Sequence, residues 1–409
     1  DKYCGIIMLK EAYFYSWEHH YYGGEGVFAM KKICFFICAF MLFMSVPARG
    51  EGGLIPEGDV KSCILVEQST GEVLYEENAD EQLPIASVTK IMTMLLIMEE
   101  IDGGRMGYDD LVTVSENAMS YGGSTMFLET GEQLTVSDML KGIAVASAND
   151  GAVAMAEHIS GSETAFVDRM NEKAAELGMV NTHFVNANGL DDEGHYSSAR
   201  DVALMSRALL EHPDITKYTS IWTDELRDGK FKLANTNKLI RFYTGANGLK
   251  TGSASQALSC PSASAERDGM QLIAVVLGSP TSAKRFSSAK TLLDHGFANY
   301  RITQLAAEGE TVCEADVANS TAGTVAGAAA ETKTLLVNKS EQGEIEKRVY
   351  INEGLTAPVK AGDRIGTMEF VRNETVIGST DIVALADAEK KSIIMIMRDI
   401  VSGYLKAET

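Results

Sequence analysis

Residues 87–101, which read SVTKIMTMLLIMEEI, are the stretch of sequence on which the fold depends. Apolar side chains fall on every face of the helix that this stretch would form, because the run from 94 to 98 is unbroken. A helix that is apolar all round is normally buried inside a large core. The sequence therefore predicts a buried central helix that begins at Ser87.

Strand-like and helix-like segments surround this helix. Residues 63–75 predict a hairpin, and the continuous apolar run at 272–277, between two glycines, predicts a short buried strand. Further helices are predicted at residues 136–147, 151–160, 165–177 and 199–211. Strands at both ends of a helix-rich middle predict one α/β domain over residues 54–300.

The character of the sequence changes after Tyr300. Residues 318–330 are rich in Ala, Gly, Ser and Thr and predict a loop. Short β-patterned runs lie beyond it, at residues 334–337, 348–351, 366–371 and 375–383. They predict a small all-β domain over residues 301–386.

Residues 387–409 carry the last predicted element, an amphipathic helix over 387–406. Its apolar side chains recur at helical spacing, as Ile393, Ile394, Ile396, Met397, Ile400, Val401, Tyr404 and Leu405. Such a stripe could lie on a membrane surface as a peripheral contact or pack on the β domain, and the sequence leaves both open.

Residues 30–50 have the pattern of a signal peptide. Two lysines after Met30 precede an apolar run over 33–46, and small residues follow it. The run is shorter than the stretch of about 20 residues that a membrane span needs. We therefore expect an exported chain, with residues 1–29 upstream of the true start and an uncleaved anchor as the alternative.

The charge balance of the chain is strongly acidic. Lys plus Arg number 36 and Asp plus Glu number 57, a formal net charge of -21. Such a chain does not attract nucleic acid phosphates, so no nucleic acid partner is expected, and an anionic ligand would need a local pocket of cations. Neither Cys nor His has the spacing of a metal site, so no metal or other cofactor is expected.

Ser87 and Lys90 lie one turn apart on the same face of the predicted central helix. A serine hydroxyl becomes an effective nucleophile when a base takes its proton, and a lysine is such a base where burial or neighbouring cations lower its pKa. The pair is a weak signal alone, because Ser287 and Lys290 repeat it and Ser87 could equally be a helix N-cap.

Two further motifs follow in order along the chain. Ser147-Ala148-Asn149 places a hydroxyl and a carboxamide between two predicted helices, although Ser115-Glu116-Asn117 has the same form. Lys250-Thr251-Gly252 occurs once, and its glycine suits a cleft edge that lies close to a substrate backbone. The ordered set is more specific than any of its members.

This ordered set resembles the motifs of penicillin-binding proteins and class A β-lactamases. The fuller resemblance is to the D-alanyl-D-alanine carboxypeptidases among the low-molecular-mass penicillin-binding proteins, serine peptidases of the β-lactamase/transpeptidase-like superfamily. The stretches that carry it are residues 84–93, 147–152, 194–201, 235–239 and 248–252. The resemblance implies an antiparallel sheet flanked by helices, a C-terminal β domain and often a membrane-anchoring amphipathic helix.

The resemblance also implies the chemistry. Ser87 would attack the carbonyl between the two terminal D-alanines of a peptidoglycan stem pentapeptide and form an acyl-enzyme, and β-lactam antibiotics would acylate it too. Lys90 would accept the Ser87 proton, and Ser147 would relay a proton to the leaving amine. The enzyme would act in the cell envelope, outside the cytoplasm, and attachment to the outer face of the cytoplasmic membrane is open.

The remaining motif residues would bind the substrate. Asn149 would hold its amide, and the backbone N–H groups of Ser87 and Ser253 would form the oxyanion hole. Cationic Lys250 and the motif residues Thr251 and Gly252 would line the carboxylate site. Arg285 resembles a family arginine that binds this carboxylate, although a solvated charge at a helix start is the alternative.

Two positions depart from the family pattern. The family usually has threonine two residues after the motif glycine, where this chain has Ala254. Pro261 lies in what is usually an apolar strand, and because proline lacks an N–H, that strand should be at an edge or bulged there.

Two other functions stay open at this point. A serine β-lactamase that deacylates rapidly would carry Glu-x-x-Leu-Asn between the second and third motifs, and no such pattern lies between Asn149 and Lys250. A non-catalytic cell-wall-binding protein with the same fold is the other alternative.

Overall fold

The computed structural model describes residues 53–341 and 343–407, so residues 1–29 and the signal peptide predicted at 30–50 lie outside the described part. The strands, in chain order, are β1 (Ser62–Glu67), β2 (Val73–Glu77), β3 (Leu111–Thr113), β4 (Gln133–Thr135), β5 (Thr223–Leu226), β6 (Phe231–Ala234), β7 (Ala246–Ala254), β8 (Leu258–Arg267), β9 (Met270–Leu277), β10 (Tyr300–Ala306), β11 (Thr311–Asp316), β12 (Thr324–Ala329), β13 (Lys333–Asn338), β14 (Glu346–Ile351), β15 (Arg364–Arg372) and β16 (Thr375–Ala384). The α-helices are α1 (Lys90–Asp102), α2 (Glu116–Ser120), α3 (Val136–Lys141), α4 (Asn149–Ser160), α5 (Glu163–Glu176), α6 (Ala199–Leu210), α7 (Thr216–Thr219), α8 (Leu239–Phe242), α9 (Ser282–Asn299) and α10 (Ile393–Ala407).

A five-stranded antiparallel sheet, in the order β2-β1-β9-β8-β7, organises the first part of the described chain. Side chains of a strand alternate between its two faces. Ile64 and Val66 of β1 therefore enter a large core with α1, α4 and α6, whereas Cys63 and Leu65 enter a second core with α9. Helices cover both faces, so the predicted antiparallel sheet flanked by helices is confirmed.

The central helix is buried as predicted, but α1 begins at Lys90 rather than at Ser87. Residues Ala86–Thr89 form a 3₁₀ turn that leads into it. Thr89 is the N-cap residue of α1, and the Ser87 hydroxyl is directed at the Lys90 side chain. The alternative interpretation of Ser87 as a helix N-cap is therefore wrong.

The segment between α3 and α4 reverses more sharply than predicted. α3 continues into a π-helical turn, Gly142–Ala146, and the chain then passes through Ser147, whose φ of 65° lies in the left-handed region. α4 begins at Asn149 rather than at residue 151. Single π turns inside helices occur frequently at functional sites. Ser147 and Asn149 thus lie on a tight corner between two buried helices.

The C-terminal part contains the predicted all-β domain. Its antiparallel sheet has the order β11-β12-β16-β15-β14 and surrounds a core that includes Ile365, Met368 and Phe370. The loop predicted at 318–330 is wrong in part, because β12 lies within it. The small side chains of β12 are largely buried, so here they indicate close packing rather than a loop.

The last helix, α10, starts at Ile393, later than the predicted residue 387. Before it, the Asp387 carboxylate accepts hydrogen bonds from Lys360 and from the Ala361 N–H, which keeps this segment on the β domain. Most of the apolar side chains that the structure describes in α10 are exposed, with Ile394 at 80%, so these side chains do not pack on the β domain. In the described residues no helix combines the length and the apolar character that crossing a membrane requires.

Pro261 lies in β8, which is an interior strand, so the expectation of an edge or a bulge is met by a bulge. Ser262 pairs with Val275 of β9, whereas Ser259 pairs with Ser279, a shift of one residue across the proline. The ladder between β8 and β9 is interrupted at the residue that has no N–H to donate.

Candidate active site

The Ser87 hydroxyl and the Lys90 amine meet at the start of α1. Lys90 Nζ lies 3.1 Å from Ser87 Oγ. It also donates to Asn149 Oδ1, over 2.6 Å, and to the backbone carbonyl of Asn188, over 2.5 Å. Lys90 is completely buried, whereas Ser87 is partly accessible.

This environment suits an unprotonated lysine. Burial lowers the pKa of Lys90 well below its usual value, and the nearby charge of Lys250 lowers it further. A neutral amine has two N–H groups and one lone pair. Because Asn149 and Asn188 supply two acceptors, the lone pair of the neutral amine is left for Ser87 Oγ.

A buried histidine supports the turn that carries Ser87. The Val185 N–H donates to His195 Nδ1, so His195 Nε2 carries the proton and donates to Thr89 Oγ1, 2.7 Å away. Thr89 Oγ1 in turn donates to the carbonyl of Ala86. Burial lowers the pKa of His195 to about 4, so the ring is neutral near pH 7.

Asn149 lies at the first position of α4 and joins two parts of the site. Its Oδ1 accepts from Lys90, and its Nδ2 donates to the Gly122 carbonyl, over 2.7 Å. The neighbouring Asp150 carboxylate accepts from the N–H groups of Met126 and Leu128, which holds the loop after Gly122 against α4. Ser147 is buried two residues before Asn149.

In the described part of the chain the Ser147 hydroxyl stays apart from Ser87 and Lys90. Among the described residues no hydrogen bond links it to Ser87 or Lys90. Ser147 has a left-handed backbone conformation at the corner between two helices. The direction of its side chain therefore could not be predicted from sequence spacing alone.

Strand β7 forms the opposite wall of the site and carries Lys250, Thr251, Gly252 and Ser253. Lys250 is 1% exposed and its Nζ donates to the Thr251 carbonyl, over 2.9 Å. Burial, and then the charge of Arg285, lower the pKa of Lys250 to about 7. The Thr251 hydroxyl donates to Thr236 Oγ1, over 2.7 Å.

Gly252 brings β7 against the turn that carries Ser87. A Cβ atom added to it would lie 2.6 Å from the Ile85 carbonyl oxygen and 3.1 Å from the Ser87 nitrogen. Gly252 therefore lets β7 pack closely against the backbone of the Ser87 turn, as well as leaving room for a substrate backbone.

The backbone of Ser253 faces the open side of β7, which is an edge strand. In an antiparallel ladder a residue points its N–H and C=O to the same side. Ser259, the partner of Ser253 on β8, exchanges both backbone hydrogen bonds with Ser279 on its other side. The Ser253–Ser259 pair is therefore not hydrogen-bonded, and the Ser253 N–H points away from β8.

Arg285 lies in the first turn of α9 and is 7% exposed, so the alternative of a solvated charge is wrong. Its guanidinium donates to the Gly252 carbonyl, over 2.9 Å, and its Nε has no hydrogen-bond partner. Burial lowers the pKa of Arg285. With Lys250 it forms a local pair of cations within an acidic chain, of the kind that an anionic ligand requires.

Three residues of this site carry no role in the sequence analysis. They are Asn188, His195 and Thr236, which contact Lys90, Thr89 and Thr251 respectively. Asn188-Gly189 is recognisable as a turn from its dipeptide. The contact of Asn188 with Lys90, 98 positions away, is a tertiary contact that no local sequence pattern predicts.

The chain matches two family models. One, described as D-alanyl-D-alanine carboxypeptidase, matches residues 54–281, and the other, described as penicillin-binding protein 5, C-terminal domain, matches residues 300–390. A similar curated protein is D-alanyl-D-alanine carboxypeptidase DacF of Bacillus subtilis (strain 168), which is 43% identical over 85% of this chain and 90% of its own length.

Solved structures with the same fold include penicillin-binding protein 5 from Haemophilus influenzae, with a TM-score of 0.69 and 32% identity over 83% of this chain and 100% of that one. Penicillin-binding protein D2 from Listeria monocytogenes, solved in its ampicillin-bound form, has a TM-score of 0.54 and 33% identity over 58% of this chain and 98% of that one. The fold, the grouping of Ser87 with Lys90 and Asn149, and these matches lead to one conclusion: the chain belongs to the D-alanyl-D-alanine carboxypeptidase family.

Proposed function

We propose that Ser87 is the nucleophile with which this serine-type D-alanyl-D-alanine carboxypeptidase removes the terminal D-alanine from peptidoglycan stem pentapeptides. The observation that carries this assignment is the 3.1 Å separation between Ser87 Oγ and the buried amine of Lys90. Its lowered pKa favours the neutral amine, which can accept the hydroxyl proton.

The reaction follows from this pair. As Lys90 takes its proton, Ser87 Oγ attacks the carbonyl carbon of the penultimate D-alanine, and the peptide C–N bond breaks. The leaving D-alanine amine receives a proton, and the resulting ester joins Ser87 to the rest of the stem. Attack of water on that ester releases the shortened peptide and restores the Ser87 hydroxyl.

We assign the proton relay to Ser147 and the substrate amide contact to Asn149. Both lie on the corner between α3 and α4, and Asn149 already contacts Lys90. The relay requires the Ser147 hydroxyl to lie within hydrogen-bond distance of the leaving nitrogen.

We assign the stabilisation of the negative charge that develops on the carbonyl oxygen to two backbone donors, the N–H groups of Ser87 and Ser253. The open edge of β7 supports this, because the Ser253 N–H points away from β8. A donor of this kind contributes about 2.7–4 kcal/mol to transition-state stabilisation in other acyl-transfer enzymes.

The terminal carboxylate of the substrate is assigned to Lys250, Thr251 and Arg285, with Gly252 allowing the close packing of β7. Lys250 and Arg285 are buried cations, and Arg285 has a buried Nε without a partner. The carboxylate of a β-lactam antibiotic would occupy the same place, which accounts for covalent inhibition of a peptidase by penicillin.

A labelling experiment tests this assignment. A fluorescent penicillin should label the wild-type chain and fail to label Ser87→Ala, and release of D-alanine from a peptide that ends in Lys-D-Ala-D-Ala should fall with it. Ser287→Ala is the matched control, because Ser287 also stands three residues before a lysine but is exposed on α9 and donates to a backbone carbonyl. Unchanged labelling of Ser87→Ala would refute the assignment.

The same assays separate the two alternatives. Rapid turnover of penicillin by the purified chain would favour a serine β-lactamase. Labelling without any release of D-alanine would favour a non-catalytic cell-wall-binding protein. Neither alternative has an observation of its own in its favour.

The surroundings of the enzyme are proposed from its substrate. Peptidoglycan lies outside the cytoplasm, which supports an extracytoplasmic enzyme and the signal peptide inferred at residues 30–50. We divide the mature chain into a catalytic domain over 54–300, a β domain over 301–386 and a terminal segment over 387–409. The exposed apolar side chains of α10 support peripheral contact with a membrane.

A further inference from the structure

A pair of hydroxyl groups lies beside the proposed carboxylate site. Thr251 Oγ1 donates a hydrogen bond to Thr236 Oγ1, over 2.7 Å. A hydroxyl has one proton to donate. Because the Thr251 proton is directed at Thr236, and because the Thr236 hydroxyl has no acceptor within the described part of the chain, the free donor of the pair is that of Thr236.

Thr236 is held in place by its neighbours. Its backbone N–H donates to the carbonyl of Val145, and it lies between two buried asparagines, Asn235 and Asn237. The Asn235 side chain donates to two carbonyls that precede β5, and the Asn237 side chain donates to the carbonyl of Gly248 in β7. The Thr236 hydroxyl is therefore positioned against β7 before any substrate binds.

The positive charges converge on the same short part of β7. Lys250 belongs to it, and Arg285 donates to the carbonyl of Gly252. Neither cation forms an ion pair with any carboxylate of the described residues. Two cations, Lys250 and Arg285, and two hydroxyls, those of Thr251 and Thr236, thus belong to or contact residues 250–252 of β7. They match a carboxylate, whose two oxygens accept up to about four hydrogen bonds.

We propose that Thr236 is a substrate-binding residue that donates a hydrogen bond to the terminal carboxylate of the peptide, and to the carboxylate of a β-lactam, beside Thr251. The inference rests on the proposed function. When the carboxylate binds, the Thr236 proton turns to one of its oxygens, and the Thr251 hydroxyl is free to rotate to the other.

The experiment compares an acid with its ester. Second-order acylation rate constants would be measured for benzylpenicillin and for its methyl ester, with the wild-type chain, Thr236→Val and Thr236→Ser. Thr236→Val should lower the rate constant for the acid by about tenfold, because hydrogen bonds to charged groups are the stronger class, and should leave that for the ester nearly unchanged. Thr236→Ser should keep most of the wild-type preference for the acid.

The matched control is Thr244→Val, which removes the hydroxyl of an exposed threonine just before β7 and should change neither rate constant. An equal loss for acid and ester in Thr236→Val would mean a merely structural role and would overturn the inference, as would no loss at all. Both results differ from failure of the proposed function, in which Ser87→Ala would still be labelled.

Discussion

Lys90 and Lys250 are buried on facing elements, and burial is the main cause of the lowered pKa of each. Their proposed tasks need opposite protonation states. Lys90 must be neutral to accept the Ser87 proton, whereas Lys250 must be charged to attract a carboxylate. The motifs identified both lysines, but their burial could not be read from three-residue patterns.

We expect kcat/KM for release of D-alanine to fall at both ends of the pH range. As pH falls, Lys90 gains a proton and can no longer act as a base. As pH rises through about 7, Lys250 of the free enzyme loses its proton and the positive charge that binds the carboxylate is reduced. Lys250→Arg should move the alkaline limb to higher pH, because a guanidinium stays protonated. The measurement is the pH profile of kcat/KM for both chains.

Lys284→Arg is the control for that profile. Lys284 lies on α9, is partly exposed and forms an ion pair with Asp59, so its substitution should leave both limbs in place. If Lys250→Arg were active and its alkaline limb stayed at the wild-type pH, the titrating group would be another residue.

Strand β7 packs closely against the turn that carries Ser87. The strand approaches the turn at Gly252, where an added Cβ would collide with backbone atoms of Ile85 and Ser87 rather than with a side chain that could move. The residue type in the third motif is therefore set by packing between two elements.

Gly252→Ala should displace β7 from the Ser87 turn. We expect a loss of stability of about 1–3 kcal/mol, the usual cost of overpacking, and a larger fractional loss of penicillin acylation, because the Ser253 N–H moves with the strand. Thermal unfolding and the acylation rate would be measured together. Gly378→Ala in β16 is the control, since its nearest neighbour is 3.9 Å away in ordinary contact.

A Gly252→Ala chain that acylated at the wild-type rate would show that this close approach does not matter for catalysis. A loss of thermal stability without a loss of the acylation rate would likewise show that Gly252 serves packing and does not position the Ser253 N–H.

Pro261 shows how an interior strand accommodates a proline. A proline in a strand predicts an edge or a bulge, and because β8 lies inside the sheet, the bulge is what the structure contains. The register between β8 and β9 shifts by one residue there, and the Gly278 N–H turns to Cys260 Sγ, 3.5 Å away. A bulge at the end of β9 thus accommodates the absence of an N–H at Pro261. The local sequence around Pro261 does not show which residues of β9 pair with it.

At the scale of the whole molecule, α10 presents an apolar surface to solvent. Several of its apolar side chains are exposed, among them Ile394, Met397 and Ile400. Burying such side chains in the boundary layer of a membrane stabilises binding in proportion to the apolar area removed from water.

We expect Met397→Glu combined with Ile400→Glu to abolish sedimentation of the chain with vesicles of phosphatidylethanolamine and phosphatidylglycerol. Labelling of Ser87 by penicillin should be unchanged, because no described side chain of α10 belongs to the site. Ser402→Glu together with Arg398→Gln, on the polar part of α10, lowers the net charge by the same two units and is the control for charge. Equal sedimentation of both variants would rule out the apolar stripe as the contact.

The sequence by itself determined the fold class, the buried central helix and the family to which the chain belongs. The unbroken apolar run at residues 94–98 implies a buried helix, short apolar and β-patterned runs imply the strands, and three ordered motifs contain the residues proposed as the nucleophile, its base and the binding groups. These features are local, and a pattern of spacing or residue type is enough to carry them.

Only the tertiary structure decided which of these groups meet. Lys90 contacts Asn149 and Asn188, which lie 59 and 98 residues further along the chain, and their carbonyl oxygens orient its amine toward Ser87. The burial that lowers the pKa of Lys90 and Lys250 likewise comes from elements packed around them. Such contacts depend on the sum of packing over the whole chain, which is why no single stretch of sequence contains them.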